Sequence, residues 1–545
     1  MPSIPSIDSY YGSISESSPG DLSCGVRNDA ANISQSKSIS PSRPQMVSPS
    51  ELSSSSPDGV FTALTKRLSS FRGSLLGTHR PSLEMLVPTA DSTLRQSSVT
   101  AATFNLVATI AGGGVLSLPL AFKSTGLLLG SFMTIAAALM SDFSLYILCS
   151  CARRTGASSY CEVARLSFGP GMECFITTVL FTTLAFFLIA YMVLTRDIWS
   201  TIFTFITGTT LTKGVASEET FLLGIMVLCV MPAMLQRSLH ALRYNCYVSF
   251  ASITVLCGSI IFRAYDRNIK MDDFFADIKW YTTSVTDILF ALPLFVLSFL
   301  AAYNMLPVHC ALVQPSRSRV RKVINGAITF CLILFYAFGI GGYMFAHADT
   351  KDNILLNFDP SDRVVIVGKI GFGISLALAM PLVTLPARET FLMIPVQIRA
   401  SLEERRKLKG HDTEEGLKGL LKKDVSFTSL DSDTLFGSIN SHISALIPSE
   451  PDTIDQIIHV GSTLLIVSIC FITAVAAPGV AVIWSICGSS FAFIIGFIFP
   501  AACYIKLRAK RKGLNKRVLG AWVMLIFTSL CAISCTTLTV YSLLF

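Results

Sequence analysis

Apolar residues run through this chain in eleven long stretches separated by polar links: 99–122, 126–149, 172–196, 220–236, 244–263, 285–312, 324–346, 364–387, 456–477, 479–505 and 518–543. A helix needs about 20 apolar residues to cross the hydrocarbon core of a bilayer, and each stretch meets or approaches that length. The pattern predicts an all-α integral membrane protein of eleven transmembrane helices. The fourth stretch is short, and the ninth and tenth nearly touch at Ala477-Pro478-Gly479.

Charge orders these spans, because cytoplasmic loops hold the Lys and Arg excess. Arg153, Arg154 and Arg165 follow the second stretch, Arg237 and Arg243 the fourth, and Arg317, Arg319, Arg321 and Lys322 the sixth. The loop 388–455 carries Arg405, Arg406, Lys407 and Lys409 among many acids, and the run from Lys506 to Arg517 follows the tenth. Links after odd-numbered stretches are poorer or mixed, with Asp266, Asp272, Asp273 and Asp277 against Arg267, Lys270 and Lys279. The N-terminus and the 388–455 loop are therefore expected in the cytosol and the C-terminus on the far side.

Ahead of the transmembrane part, 98–545, residues 1–97 are rich in Ser and Pro, with Ser-Pro pairs at Ser18, Ser40, Ser48 and Ser56, and have too few large apolar residues to build a core. They read as a disordered cytosolic tail. Within it Phe61, Leu64, Leu68, Phe71 and Leu75 recur at helical spacing beside Lys66, Arg67 and Arg72, the pattern of a surface-lying amphipathic helix. Tyr11-Gly-Ser-Ile14 fits the loose Tyr-x-x-apolar pattern of sorting signals, so the tail is a candidate to bind sorting or signalling proteins.

Composition narrows the class. Of 545 residues, 51% are hydrophobic and 14% charged, whereas soluble domains carry charge at about a quarter of positions. A soluble multidomain protein is excluded. The net charge of +8 does not indicate nucleic acid, since the basic residues sit in short blocks between apolar runs. Most of the 15 cysteines fall inside apolar stretches, so no disulfide framework is expected. The N-terminus lacks the charged and apolar regions of a cleaved signal peptide. No CxxC, HExxH, GxSxG or ATP-binding GxxxxGK pattern is present, and none of the signatures of an enzyme, a pump or a bound metal is expected. An ion channel would show a filter sequence or a charged ring, and neither is visible.

Two stretches carry candidate chemistry. The first reads Asn105-Leu-Val-Ala-Thr-Ile-Ala-Gly112-Gly113-Gly114-Val-Leu-Ser-Leu-Pro119. Each glycine costs a helix about 1 kcal/mol against Ala, and Pro119 removes a further helical hydrogen bond, so the helix is predicted to break here. Open backbone at membrane depth is tolerated only where protein buries it or a cavity is lined by it, and a half-helix N-terminus offers N–H groups to an anion. The alternative is close packing through small residues. In the sixth stretch Pro293 and Pro307 bracket Ser298 and Tyr303-Asn304, which predicts a second break or an ordinary proline kink. Breaks in the first and sixth spans, five apart, suit two inverted five-helix repeats with the site at their interface.

At these residues the chain resembles the amino acid/auxin permease family, with sodium-coupled neutral amino acid transporters and fungal vacuolar amino acid transporters as relatives. The matching text runs Phe104-Asn-Leu, Gly112-Gly-Gly-Val-Leu-Ser-Leu-Pro through Gly126, Arg237-Ser-Leu-His-Ala-Leu-Arg-Tyr244, Phe290-Ala-Leu-Pro293, Gly341-Gly-Tyr-Met-Phe345, Asn353-Ile-Leu-Leu-Asn357 and Pro381-Leu-Val-Thr-Leu-Pro-Ala-Arg388. The resemblance implies a LeuT-like fold that moves amino acids by alternating access. It implies a substrate site at Thr109, Ala111, Gly112, Gly113, Gly114 and Val115, in which the amides around Gly112 to Val115 take the carboxylate and carbonyls of the broken first and sixth spans take the amino group, with Ser298, Phe299, Ala302 and Tyr303 shaping the pocket. Sodium-coupled members carry Asn at the position of Ala108 and hydroxyls at those of Ala377 and Ala379. Alanine offers sodium no oxygen ligand, so sodium coupling is not expected. A Cys-His pair of relatives is replaced by Ala301-Ala302.

A proton drive needs a titratable group within the membrane. Asp142, Asp197 and His309 are the candidates for coupling or gating, each with an ordinary structural explanation as well. The expected function is a secondary amino acid transporter, proton-coupled or facilitative, with no cofactor and a neutral amino acid favoured. The alternative is an amino acid sensor that signals through its tail. Plasma membrane and vacuole or lysosome both fit, with Ala121-Phe-Lys-Ser-Thr-Gly126 leaning to the vacuolar relatives.

Overall fold

The computed structural model describes residues 97–209, 211–212, 217–236, 245–268, 278–409, 453–508 and 516–544. The tail with its helix and sorting patterns, the Arg237–Tyr244 motif and most of the 388–455 loop lie outside these residues. The described chain is helical throughout apart from one isolated β-bridge, between Ser97 and Leu312.

The first stretch folds as α1 (Val99–Ile110), a 3-10 turn (Gly113–Ser117) and α2 (Leu118–Thr125), and α3 (Leu127–Thr155) follows. A short α4 (Tyr160–Phe168) precedes α5 (Pro170–Thr207), α6 (Glu218–Met234) and α7 (Asn245–Asn268). The sixth stretch divides into α8 (Val285–Ser298) and α9 (Ala302–Ala311), followed by α10 (Arg317–Ala346) and α11 (Arg363–Lys409). After α12 (Thr453–Ala476), α13 (Val480–Ile486) runs through π-helical turns at Cys487–Ala492 and Ile494–Ile498 into α14 (Phe499–Arg508), and α15 (Lys516–Leu544) ends the fold.

Serine starts many of these helices. The side chains of Ser98, Ser159, Ser217, Ser284 and Ser316 each accept a hydrogen bond from an amide of the first turn, which supplies an acceptor to an otherwise unpaired N–H. Helices also overrun the apolar stretches. The third apolar stretch ends at 196 and the eighth at 387, whereas α5 continues to Thr207 and α11 to Lys409. Hydrogen bonding carries each helix through a charged pair, Arg196-Asp197 or Arg388-Glu389, at which the apolar run breaks off.

Among the described residues nine helices are long and apolar enough to cross a membrane, and the bent pair Val99–Ile110 and Gly113–Thr125 makes a tenth. The expected eleventh span rests on α6, whose 17 residues reach about 26 Å against a core of about 30 Å. The π-helical turns loosen carbonyls that hydroxyls then satisfy: Tyr160 donates to Ile495 O, Ser144 to Gly496 O, and Thr536 to Ser489 O.

Candidate functional site

The first helix breaks where the glycines predict. α1 closes with the Ala111 amide bonded to Val107 O at 2.7 Å, and the chain turns 46° before continuing. Gly112 has φ −77° and ψ −165°, extended backbone open to any residue, so conformation does not demand glycine. Space does. A Cβ on Gly112 would lie 2.8 Å from the Tyr191 hydroxyl, and one on Gly113 would collide with Leu194 Cδ1. The amides that begin the 3-10 turn have no carbonyl one turn back to bond.

The sixth span breaks at Phe299-Leu300-Ala301, between α8 and α9. Pro293 and Pro307 lie inside those helices on either side of the gap. The Phe299 carbonyl, which continuous helix would have occupied, accepts from Ser141 Oγ of α3 at 2.8 Å. The broken spans are tied together by Asn304, whose side-chain amide donates to Thr109 Oγ1 at 2.6 Å and to Asn105 Oδ1 at 3.3 Å.

Where the two breaks face each other they enclose a cavity of about 20 Å³, room for roughly one water. Thr109, Ile110 and Gly112–Gly114 form one wall and Leu297, Ser298, Leu300 and Tyr303 another. Phe187 and Tyr191 of α5 and Trp484 of α13 complete it. Of the residues expected from sequence, Thr109, Gly112, Gly113, Gly114, Ser298 and Tyr303 thus come together. Ala111, Val115, Phe299 and Ala302 are buried without lining the space. Phe187, Tyr191 and Trp484 are not among the residues expected from the sequence, although Phe187 and Tyr191 stand one helical turn apart on one face of α5. The Phe187 ring lies 5.7 Å from Tyr303 and 5.8 Å from Trp484 between centroids. Trp484 Nε1 is buried and has no hydrogen-bond partner among the described residues, so this lining side chain carries an unused donor. No lining residue is charged.

The three coupling candidates lie outside this lining. Asp142 Oδ2 is 3.0 Å from Arg321 Nη2 of α10. Asp197 Oδ1 is 3.6 Å from Arg196 Nε, and Asn353 Nδ2 donates to its Oδ2 at 3.5 Å. His309 is buried in α9 at 2% exposure. No cluster of three or more His, Cys, Asp or Glu suited to a metal occurs among the described residues.

Apolar membrane-length helices, two of them interrupted at a shared uncharged cavity, define a polytopic helical membrane protein. The family described as transmembrane amino acid transporter protein matches residues 95–542, and the chain belongs to it. It is 26% identical over 54% of its length to vacuolar amino acid transporter 7 of Saccharomyces cerevisiae, covering 58% of that protein. It is 25% identical over 54% of its length to the putative sodium-coupled neutral amino acid transporter 11 of Mus musculus, covering 64% of that protein. The match thus spans less than two thirds of either relative. A solved structure similar to this chain is that of MHP1, a nucleobase-cation-symport-1 family transporter in a closed conformation with bromovinylhydantoin bound. It has a TM-score of 0.48 at 11% identity and covers 82% of this chain and 91% of that one.

Proposed function

We propose that this chain moves amino acids across a membrane by alternating access, as a secondary transporter that is proton-coupled or facilitative. The observation that carries the reading is the meeting of two interrupted helices at one uncharged cavity in a member of the transmembrane amino acid transporter family. A substrate carboxylate sits on the amides that open the 3-10 turn, with the Trp484 N–H as a further donor, and the ammonium on carbonyls freed at the breaks. The absence of charge in the lining favours neutral side chains. Free space of about 20 Å³ is too small for any amino acid, so α1 and α9 must part from α5 and α13 to admit one.

Sodium drive is disfavoured by Ala108, Ala377 and Ala379, which bring no oxygen ligand. The Lys and Arg count favours a cytosolic N-terminus, and the vacuolar relative favours a vacuolar or lysosomal membrane over the plasma membrane. The tail at 1–97 is the segment available to sorting or signalling proteins.

Uptake of a labelled amino acid panel into proteoliposomes, under imposed pH or sodium gradients, tests this. Uptake that is accelerated by a pH gradient, or that proceeds without any gradient, supports it. Flux that follows sodium and ignores pH removes the coupling assignment, and no flux for any amino acid removes transport.

A further inference from the structure

On the face that carries the basic links, α3, α10 and α15 enclose a hollow of about 610 Å³ lined by Phe143, Tyr146, Arg317, Ser318, Arg321 and Arg517. Two guanidiniums share one ring there: Arg321 Cζ lies 5.2 Å and Arg517 Cζ 5.4 Å from the Tyr146 centroid. Arg517 Nη1 also donates to the Tyr146 hydroxyl at 3.2 Å. Among the described residues the carboxylate paired with these arginines is Asp142, on Arg321 at 3.0 Å. Cations gathered this closely at the edge of a low-dielectric region repel one another, and one carboxylate does not offset three. A phosphate does, and the guanidinium fork matches its oxygens.

The surroundings indicate which phosphate. On α3, Leu128, Phe132, Ile135 and Leu139 are exposed at successive helical turns, and the same strip continues into Phe143 and Tyr146. Across the hollow α15 exposes Val523, Ile526, Phe527 and Leu530. In a membrane protein such strips face hydrocarbon. Acyl chains lying along them bring a headgroup to the arginines, whereas a soluble anion gains nothing from them. We propose that this hollow binds the headgroup phosphate of an anionic phospholipid, with Arg317, Arg321 and Arg517 as its partners and Asp142 orienting Arg321. The site bridges α15 to the helices of the cavity-bearing core and is independent of the substrate assignment.

The test follows the unfolding temperature of the full-length protein in dodecyl maltoside micelles titrated with dioleoylphosphatidylserine, dioleoylphosphatidylcholine or inorganic phosphate. Phosphatidylserine is expected to raise it saturably and the other two to leave it unchanged. Arg317→Gln with Arg517→Gln is expected to raise the half-saturating phosphatidylserine concentration about tenfold or more. Arg317→Gln alone, at an exposed helix start, shifts it in the same direction and keeps the test open should the double variant fail to fold. No response of the wild type to phosphatidylserine, or an equal response in the variants, overturns the proposal. Inorganic phosphate acting as strongly as the lipid overturns the lipid as occupant.

Discussion

The hydroxyl of Ser141 donates to the carbonyl oxygen of Phe299, 2.8 Å away, and so closes the backbone that the interrupted sixth span leaves open. Both residues are buried, at 3% and 0% exposure. Ser141→Ala therefore strands a carbonyl with no water to replace the donor, at a cost of about 1–3 kcal/mol. A clearly lower unfolding temperature in detergent is expected. An unchanged unfolding temperature would show that the break is satisfied in some other way.

Gly112 is required for space rather than for backbone conformation. Alanine there places a methyl 2.8 Å from the Tyr191 hydroxyl, and Gly112→Ala should reduce amino acid uptake at least tenfold through overpacking worth about 1–3 kcal/mol. Tyr191→Phe removes the obstructing atom and leaves Cζ, 3.8 Å away, as the nearest. The double variant should recover much of the lost uptake. Independent, additive losses would mean that the two residues do not act on each other.

Trp484 packs its ring against Phe187, and its N–H has no partner among the described residues. Trp484→Phe keeps an aromatic ring and breaks no hydrogen bond of the unliganded fold. Amino acid binding should weaken about fivefold, the worth of one neutral hydrogen bond near 1 kcal/mol, with little change in unfolding temperature. A lowered unfolding temperature with unaltered affinity would make Trp484 a packing residue only.

Arg263 of α7 lies with Nη2 2.7 Å from Oδ1 of Asp362, just before α11. Partial burial pushes the Asp362 carboxyl up, but hydrogen bonds from Arg263 and from the amides of Val364 and Val365 outweigh it and hold the group below its ordinary value. A depressed carboxylate contributes its full stability above the unfolded value of about 3.9 and loses it as pH falls through the folded value. Asp362→Asn should lower the unfolding temperature near neutral pH and bring it closer to wild type below about pH 4. Parallel curves for the two proteins would show that the pair contributes nothing.

The first break was legible because three adjacent glycines oppose a helix in any surroundings. The second was legible only in outline: Pro293 and Pro307 both sit within helix, and the gap at Phe299–Ala301 is defined by Ser141, 158 positions earlier in the chain. The wall formed by Phe187, Tyr191 and Trp484 left less trace. α5 is apolar on nearly every side, so no polar stripe marks which face turns to lipid and which to the cavity. The ends of α5 and α11 were invisible because charged pairs, Arg196-Asp197 and Arg388-Glu389, interrupt the apolar run without ending the helix.

Asp197 is a coupling candidate whose contacts extend to two separate joints of the fold. Its neighbour Arg196 lies 3.6 Å from Oδ1 and also donates from Nη1 to Ala474 O of α12 at 3.2 Å. Asn353, between α10 and α11, donates to Oδ2, and the carboxylates of Asp352 and Glu219 also act on it. Asp352 in turn lies against Gly479, at the joint between α12 and α13. A proton on Asp197 removes the charge that holds Arg196 and Asn353, and so loosens the contacts of α5 with that joint and with the α10–α11 link. In proteoliposomes Asp197→Asn should abolish accumulation driven by a pH gradient while leaving exchange of labelled for unlabelled amino acid, because exchange needs no net proton movement. Accumulation that keeps its wild-type dependence on the gradient would exclude Asp197 from coupling and leave Asp142 and His309 to be tested in the same way.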